Sequence, residues 1–285
     1  SNSLYGPMSI PIEDLCEDIL GKSQAGLGLS NRELCEKSEI DRQSLDALKS
    51  GEFNEPALRK IAPCLNLDAD TLVVSGKKAW YPQPVTVEGL ACFNSPYPVP
   101  SYSEMTVNAY SVWDANSNEA AIFDSGADAS AILDKISQLN LSIKVILLTH
   151  AHGDHIADLK RLKTETGNPP TYINRLESTK GVDSIDEGWA TTVGNLKISA
   201  FLTNGHSPGG TTYLITGLDS PVAITGDSLF AGSIGGASSR YNEALDNNRK
   251  KILTLSDDTV ICPGHGPMST VGEEKAHNPF FPEFK

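Results

Sequence analysis

Four side chains able to ligate a metal fall within six residues, His150, His152, Asp154 and His155 in THAHGDH, directly after the apolar run Val145–Leu148. A buried strand that ends in such a run must deliver its last residues to a polar site, because unpaired imidazoles and carboxylates are costly to bury anywhere else. Alternate residues of an extended segment point the same way, so His150 and His152 can share one ion. Asp154 and His155 then turn to the other side, where they can hold a second. A mixture of imidazole and carboxylate suits Zn, Fe or Mn and needs no thiolate.

Three further contexts repeat the arrangement. His206 lies in NGHSPGGTTYLI, Asp227 in AITGDSLF and His265 in ICPGHGPM, each at the end of an apolar stretch and beside glycine. Backbones on such turns can converge on an ion. His277, in AHNPF, stands outside this pattern. The five cysteines (Cys16, Cys35, Cys64, Cys92, Cys262) are scattered and form no C-x-x-C pair, so they read as small buried hydrophobes in a reducing cytoplasm.

The texture changes near residue 78. Ile12, Leu15, Cys16 and Ile19 recur at helical spacing, Ser30 and Glu33 form a capping box, and Asp41 can cap a helix that stops at Gly51. Pro56 suits the first turn of the next helix and Asp68–Leu72 a last short one. The stretch Leu29–Leu72, LSNRELCEKSEIDRQSLDALKSGEFNEPALRKIAPCLNLDADTL, resembles a helix-turn-helix unit of the Cro/phage-repressor type. Val74–Val87 reads as a linker. Beyond it, strands are expected at Val107–Trp113, Ala120–Phe123, Lys144–Leu148, Val193–Phe201, Thr211–Thr216, Val222–Thr225 and Thr259–Cys262. Helices are expected at Asp128–Leu139 and Glu243–Leu253. A length of 285 residues, above the usual size of one core, agrees with two domains, 1–78 and 79–285.

The second part is similar to the metallo-β-lactamase superfamily, and within it to the glyoxalase II-like hydrolases. The likeness rests on NAYSVWDANSNEAAIFDSGAD, THAHGDH, GHSPGG, TGDSLFAGS and PGHGPM, in that order between Val85 and Phe284. It implies an α+β fold, an αββα sandwich with metals at one edge between two sheets, here preceded by a small all-α domain. It assigns His150, His152 and His206 to a first ion and Asp154, His155 and His265 to a second, with Asp227 bridging. Zinc is expected first, with iron or manganese as alternatives. Two cations sharing a hydroxide would supply a nucleophile at neutral pH, which Asp154 can orient. Asp124, in FDSG, would steer a ligand imidazole from behind.

Two departures bear on substrate. Only about 20 residues follow His265, where full-length glyoxalase II carries a helical domain that grips glutathione. The Gly-Arg pair that often follows the GDSLFAGS stretch reads Gly235-Gly236, which argues against the persulfide dioxygenase branch; Arg240 is a possible replacement. The expected activity is hydrolysis of a thioester such as S-lactoylglutathione, or of a related activated ester. Alternatives are a lactonase, or a DNA-binding regulator whose metal domain senses a ligand. For the latter, Arg42 and Gln43 would read bases.

Charge weighs against that alternative. The net charge is -13, and residues 1–78 hold nine Lys and Arg against thirteen Asp and Glu, which leaves -4. Phosphate attraction needs the opposite sign. A homodimer through the helical part, or packing of that part against the second domain, is the blander expectation. No apolar run approaches the ~18 residues of a membrane span. SNSLYGPMSIPIEDL lacks the features of a signal peptide, and Met8 leaves open whether Ser1–Pro7 is native.

Overall fold

The computed structural model describes residues 9–285, so Met8 and the residues before it lie outside the described residues. Five helices come first: α1 Cys16–Leu27, α2 Asn31–Ser38, α3 Arg42–Lys49, α4 Glu55–Cys64 and α5 Ala69–Gly76. Ser30, Asp41, Asn54 and Asp68 each accept the amide three residues on, and Glu33 returns to Ser30 to complete the box. The first helix begins later than the apolar spacing from Ile12 suggests. Asp18 holds the Leu15 amide at 2.8 Å and starts the helix at Cys16, and Leu15 is left 39% exposed. Glu13, ahead of the helix, packs against Gly266, beside His265.

Two six-stranded sheets follow, each with its strands in chain order. The first holds β1 Leu90–Pro96, β2 Thr106–Trp113, β3 Glu119–Phe123, β4 Ser142–Leu147, β5 Thr171–Asn174 and β6 Asp183–Ile185. The second holds β7 Ala190–Val193, β8 Leu196–Leu202, β9 Thr211–Thr216, β10 Val222–Gly226, β11 Val260–Pro263 and β12 Ser269–Thr270. Three of the parallel pairs are joined through helices, β3 to β4 by α6 Ser130–Leu139, β4 to β5 by α7 Gly153–Ile156 and α8 Leu159–Glu165, and β10 to β11 by α9 Tyr241–Asn247, whereas β5 and β6 are joined without one. A further helix, α10 Val271–His277, leads into the C-terminal segment, which closes on a 3-10 turn at Pro282–Phe284.

Several expected boundaries move for local reasons. Val193–Phe201 is not one strand: Gly194 takes a φ of 54° and turns the chain from β7 into β8. Glu243–Leu253 divides into α9 and one turn of π-helix, Asn248–Ile252. Of the cysteines only Cys262 is buried, and the other four are half-buried.

The core has three compartments. Tyr110, Val112 and Phe123 of the first sheet meet Ile198, Tyr213 and Ile224 of the second, and this apolar layer joins the two sheets. Ile122, Ile146 and Ile173 face outward onto Ile132 of α6 and Leu162 of α8. Ala223 and Ile261 of the second sheet face Tyr241, Leu245, Ile252 and Phe280. The same compartment takes in Leu20, Leu45, Ile61 and Leu72 of the first five helices. The apolar core is therefore continuous across residue 78. The stretch read as a linker is docked as well: Trp80 stacks on His277 at 4.8 Å, and the Gln83 amide donates to the Glu273 carboxylate at 2.9 Å.

Candidate metal centre

The C-terminal ends of β3, β4, β10 and β11 meet at one edge of the sandwich. The Thr211 amide donates to the Thr149 carbonyl at 3.0 Å, which ties the end of β4 to the second sheet. Between β10 and β11 the register shifts at Thr225, and Gly226 takes a φ of 53°; this bulge turns Asp227 inward. Asp124 follows β3 with a φ of 64°, a conformation that Asp tolerates better than most residues. Gly264 has no freedom to be anything else, because a β-carbon there would overlap Asp227 Oδ1 and the His155 ring.

All seven residues singled out for metal binding come together. His150, His152, His206 and Asp227 form one group, and Asp154, His155 and His265 form another. Asp227 lies between them. Its Oδ2 is 3.2 Å from His206 Nε2, 3.5 Å from His150 Nε2 and 3.4 Å from His265 Nε2, and its Oδ1 is 3.2 Å from His155 Nε2. Asp154 Oδ2 is 3.1 Å from His265 Nε2 and 3.4 Å from His155 Nε2. His152 presents Nδ1, 3.1 Å from His206 Nε2.

The outward nitrogens explain which atoms face in. His206 Nδ1–H donates to the Gly236 carbonyl at 2.8 Å and His265 Nδ1–H to the Thr106 carbonyl at 2.7 Å. His155 Nδ1–H donates to Asp124 at 3.0 Å. Thr149 gives its hydroxyl proton to Asp124 at 2.7 Å, so its oxygen accepts from His150 Nδ1–H at 2.9 Å. Acceptor-only partners thus place the proton of four imidazoles on Nδ1 and leave Nε2 for the interior. Asp124, expected behind one imidazole, stands behind two: His155 directly and His150 through Thr149.

Among the described residues, His150 Nε2, His155 Nε2 and Asp227 Oδ1 are buried with no hydrogen-bond partner. Buried polar atoms without partners are rare, and three in one cluster match the donor set of a divalent cation. Without a cation, charge balance falls to protons. Burial disfavours the His155 imidazolium, but the Asp227 and Asp124 carboxylates outweigh it and hold the group at about 10. Burial likewise opposes the His265 imidazolium, and Asp227 and Asp154 raise it to about 11. Burial works against the Asp227 carboxylate too, yet His265, His155 and His150 keep its pKa well below the usual range.

The remaining sequence candidates lie elsewhere. His277 stacks on Trp80, and Arg240 pairs with Glu243 at 3.1 Å. Arg42 and Gln43 are exposed on α3, where Arg42 pairs with Asp46 at 2.9 Å. The anchors Gly236 and Thr106 were not anticipated; each acts through a backbone carbonyl, which has no residue signature.

Comparison with known proteins agrees with this geometry. Residues 103–265 match the family described as the metallo-beta-lactamase superfamily. Hydroxyacylglutathione hydrolase GloC of Haemophilus influenzae is 33% identical over 201 residues, covering 61% of this chain and 92% of that protein. The probable metallo-hydrolase YqgX of Bacillus subtilis is 31% identical, over 62% of this chain and 93% of its own. Among solved structures, the B3 metallo-beta-lactamase BLEG-1 superposes with a TM-score of 0.55 at 30% identity, covering 67% of this chain and 99% of that one. TTHA1623 in a di-iron-bound form gives 0.50 at 27% identity, over 65% and 99%. With seven histidines and aspartates able to hold metal gathered at the sheet edge and the greater part of its length matched, the chain belongs to the metallo-β-lactamase superfamily.

Proposed function

We propose that this metallo-hydrolase cleaves a small thioester, with S-lactoylglutathione the first candidate and a lactone or other activated ester the competing class. The observation that carries the reading is the set of inward-facing atoms, His150 Nε2, His155 Nε2 and Asp227 Oδ1, buried without partners while the outer nitrogens are tied down. His150, His152, His206 and Asp227 would hold one divalent cation, and Asp154, His155 and His265, sharing Asp227, a second. Such a pair supplies Lewis acidity, bringing the pKa of a water toward ~7 and polarising a carbonyl. Zinc leads on donor type, with iron or manganese as alternatives.

The chain's own residues do the positioning. Asp154, its Oδ2 3.1 Å from His265 Nε2 and 3.4 Å from His155 Nε2, is held at the centre where its carboxylate can orient a water. Asp227 spans both groups and sets their separation. His152 is exposed and the His206 side chain 22% exposed, which marks the side from which substrate approaches.

Support for a thioester comes from the relative named hydroxyacylglutathione hydrolase; the likeness to BLEG-1 makes a β-lactam the control substrate. The test is a panel of S-lactoylglutathione, lactones, β-lactams and glutathione persulfide against protein loaded with Zn, Fe or Mn. Thioester turnover is expected with at least one ion. Inert thioesters beside rapid lactone turnover would move the reading to a lactonase, and oxygen uptake with the persulfide to a dioxygenase.

For residues 1–78 we propose packing and a C₂ homodimer as the role, ahead of duplex recognition. The shared apolar core supports the packing role, and the pairing of Arg42 with Asp46 weighs against duplex recognition. Light scattering tests the dimer; a monomer at all concentrations removes it.

A further inference from the structure

The loop Phe230–Gly236 carries the carbonyl that orients His206, and it has no regular structure beyond one bridge between Phe230 and Ser233. It ends in two glycines, which leave the backbone conformationally free. What holds it must therefore come from outside. On one side Glu274 accepts the Gly232 amide at 2.9 Å, and Asn278 donates to the Ser233 carbonyl at 3.0 Å.

The other side is held from the opposite end of the chain. Ser233 donates its hydroxyl to the buried Asp14, and Lys22 of α1 bonds both Asp14 and, at 2.8 Å, the Ile234 carbonyl. Lys22 Cε lies 3.9 Å from where a β-carbon of Gly236 would stand. Its ammonium is 5.1 Å from the Phe230 ring centre, and that ring packs edge-on against His265 at 5.7 Å.

We propose that Lys22 and Asp14 are positioning residues of the three-histidine half of the metal centre, acting through Ile234 and Gly236 on the orientation of His206. The helical segment would then be a working part of the hydrolase and not only an appendage. Removing the lysine strips a donor from the Ile234 carbonyl and leaves a buried carboxylate without its cation, and the loop is free to shift. The inference rests on His150, His152, His206 and Asp227 holding a cation.

The experiment is a Co²⁺ titration of the full chain, followed by visible absorption with chelator competition. His206→Ala identifies which step belongs to the three-histidine half. Lys22→Met should weaken that step about tenfold, the lower end for groups that orient ligands from behind, and leave the other within about twofold. Lys22→Arg, which keeps the charge and donors, should recover most of the loss. Lys49→Met, which removes a lysine bonded to Asn31 on the same helical segment, should change neither step. Equal loss at both steps, or none, overturns the proposal. If Lys22→Met does not fold, Asp14→Asn is read in the same way, with a smaller loss confined to the same step expected and any other result overturning it. A wild-type chain that binds no Co²⁺ defeats the underlying metal reading and the clamp together, whereas two normal steps unaffected by Lys22→Met defeat the clamp alone.

Discussion

The two halves of the metal centre are built to different degrees of enclosure. Asp154, His155 and His265 are all buried, and both imidazoles are anchored from behind. In the other half His150 is buried, but His152 is exposed and His206 is half-buried, leaning on a glycine loop. Enclosed ligands with tied outer nitrogens are pre-set for an ion; ligands on an open face can yield to an incoming substrate. The closed half is the more firmly pre-set of the two, and the open half is the one that faces solvent. Removal of metal by chelator should follow that order, the open half emptying first.

The strongest way to break the distinction is Asp227→Ala. This carboxylate touches both halves, so both ions should be lost, by elemental analysis, and hydrolysis with them. Retention of one full equivalent would show that the halves stand independently. Asp124→Ala comes next. Because Asp124 orients His155 and, through Thr149, His150, affinity should fall in both halves by about 10–100-fold. Loss confined to the closed half would mean that Thr149 orients His150 unaided.

Glu274 tests the support of the open half through pH. It is fully buried and accepts from Ser269, Gly232 and Asn278, yet burial outweighs those bonds and pushes its carboxyl up to about 7. A raised carboxyl binds its proton more tightly folded than unfolded. Its stabilisation is complete below pH 4.5 and declines as pH rises toward and through 7. Relative to Glu274→Gln, the wild type should lose roughly 3 kcal/mol of unfolding free energy between pH 4.5 and 8.5, measured with urea. Parallel profiles for the two proteins would show that this carboxyl does not titrate in that window. The smallest expected effect is none: Arg42→Ala and Gln43→Ala should leave metal content unchanged, and selection from random duplexes should enrich no motif. A motif lost in Arg42→Ala and weakened by salt would show duplex recognition despite the acidic balance.

Much of this centre was legible before folding because its donors lie in short, self-contained contexts. THAHGDH places four donors by local geometry alone, and GHSPGG, TGDSLF and PGHGPM each put one at a strand end. Local capping was equally readable: Ser30 and Glu33, and Asp41 with Gly51, behave as their side chains dictate. Strand β1 escaped notice, since Leu90–Pro96 ends in proline and mixes small with polar residues. The π-turn after α9 gave no signal either, because the same side-chain spacing serves an ordinary helix.

Sequence alone picked out the seven residues that gather at the sheet edge, the longer strands and helices after residue 106, and the capped helices before residue 76, all from neighbours in the chain; the short β5, β6, β12, α7 and α8 and the helix α10 were not read from it. Tertiary structure alone decided which atom of each imidazole faces inward. That choice belongs to the Gly236 and Thr106 carbonyls and to Asp124, which pattern cannot pair with a distant histidine. It also decided that the helices and the second sheet share one apolar core, and that Lys22 reaches Ile234 across 212 positions of chain. Burial and hydrogen bonding act through space, and the sequence records only which residues are available to take part.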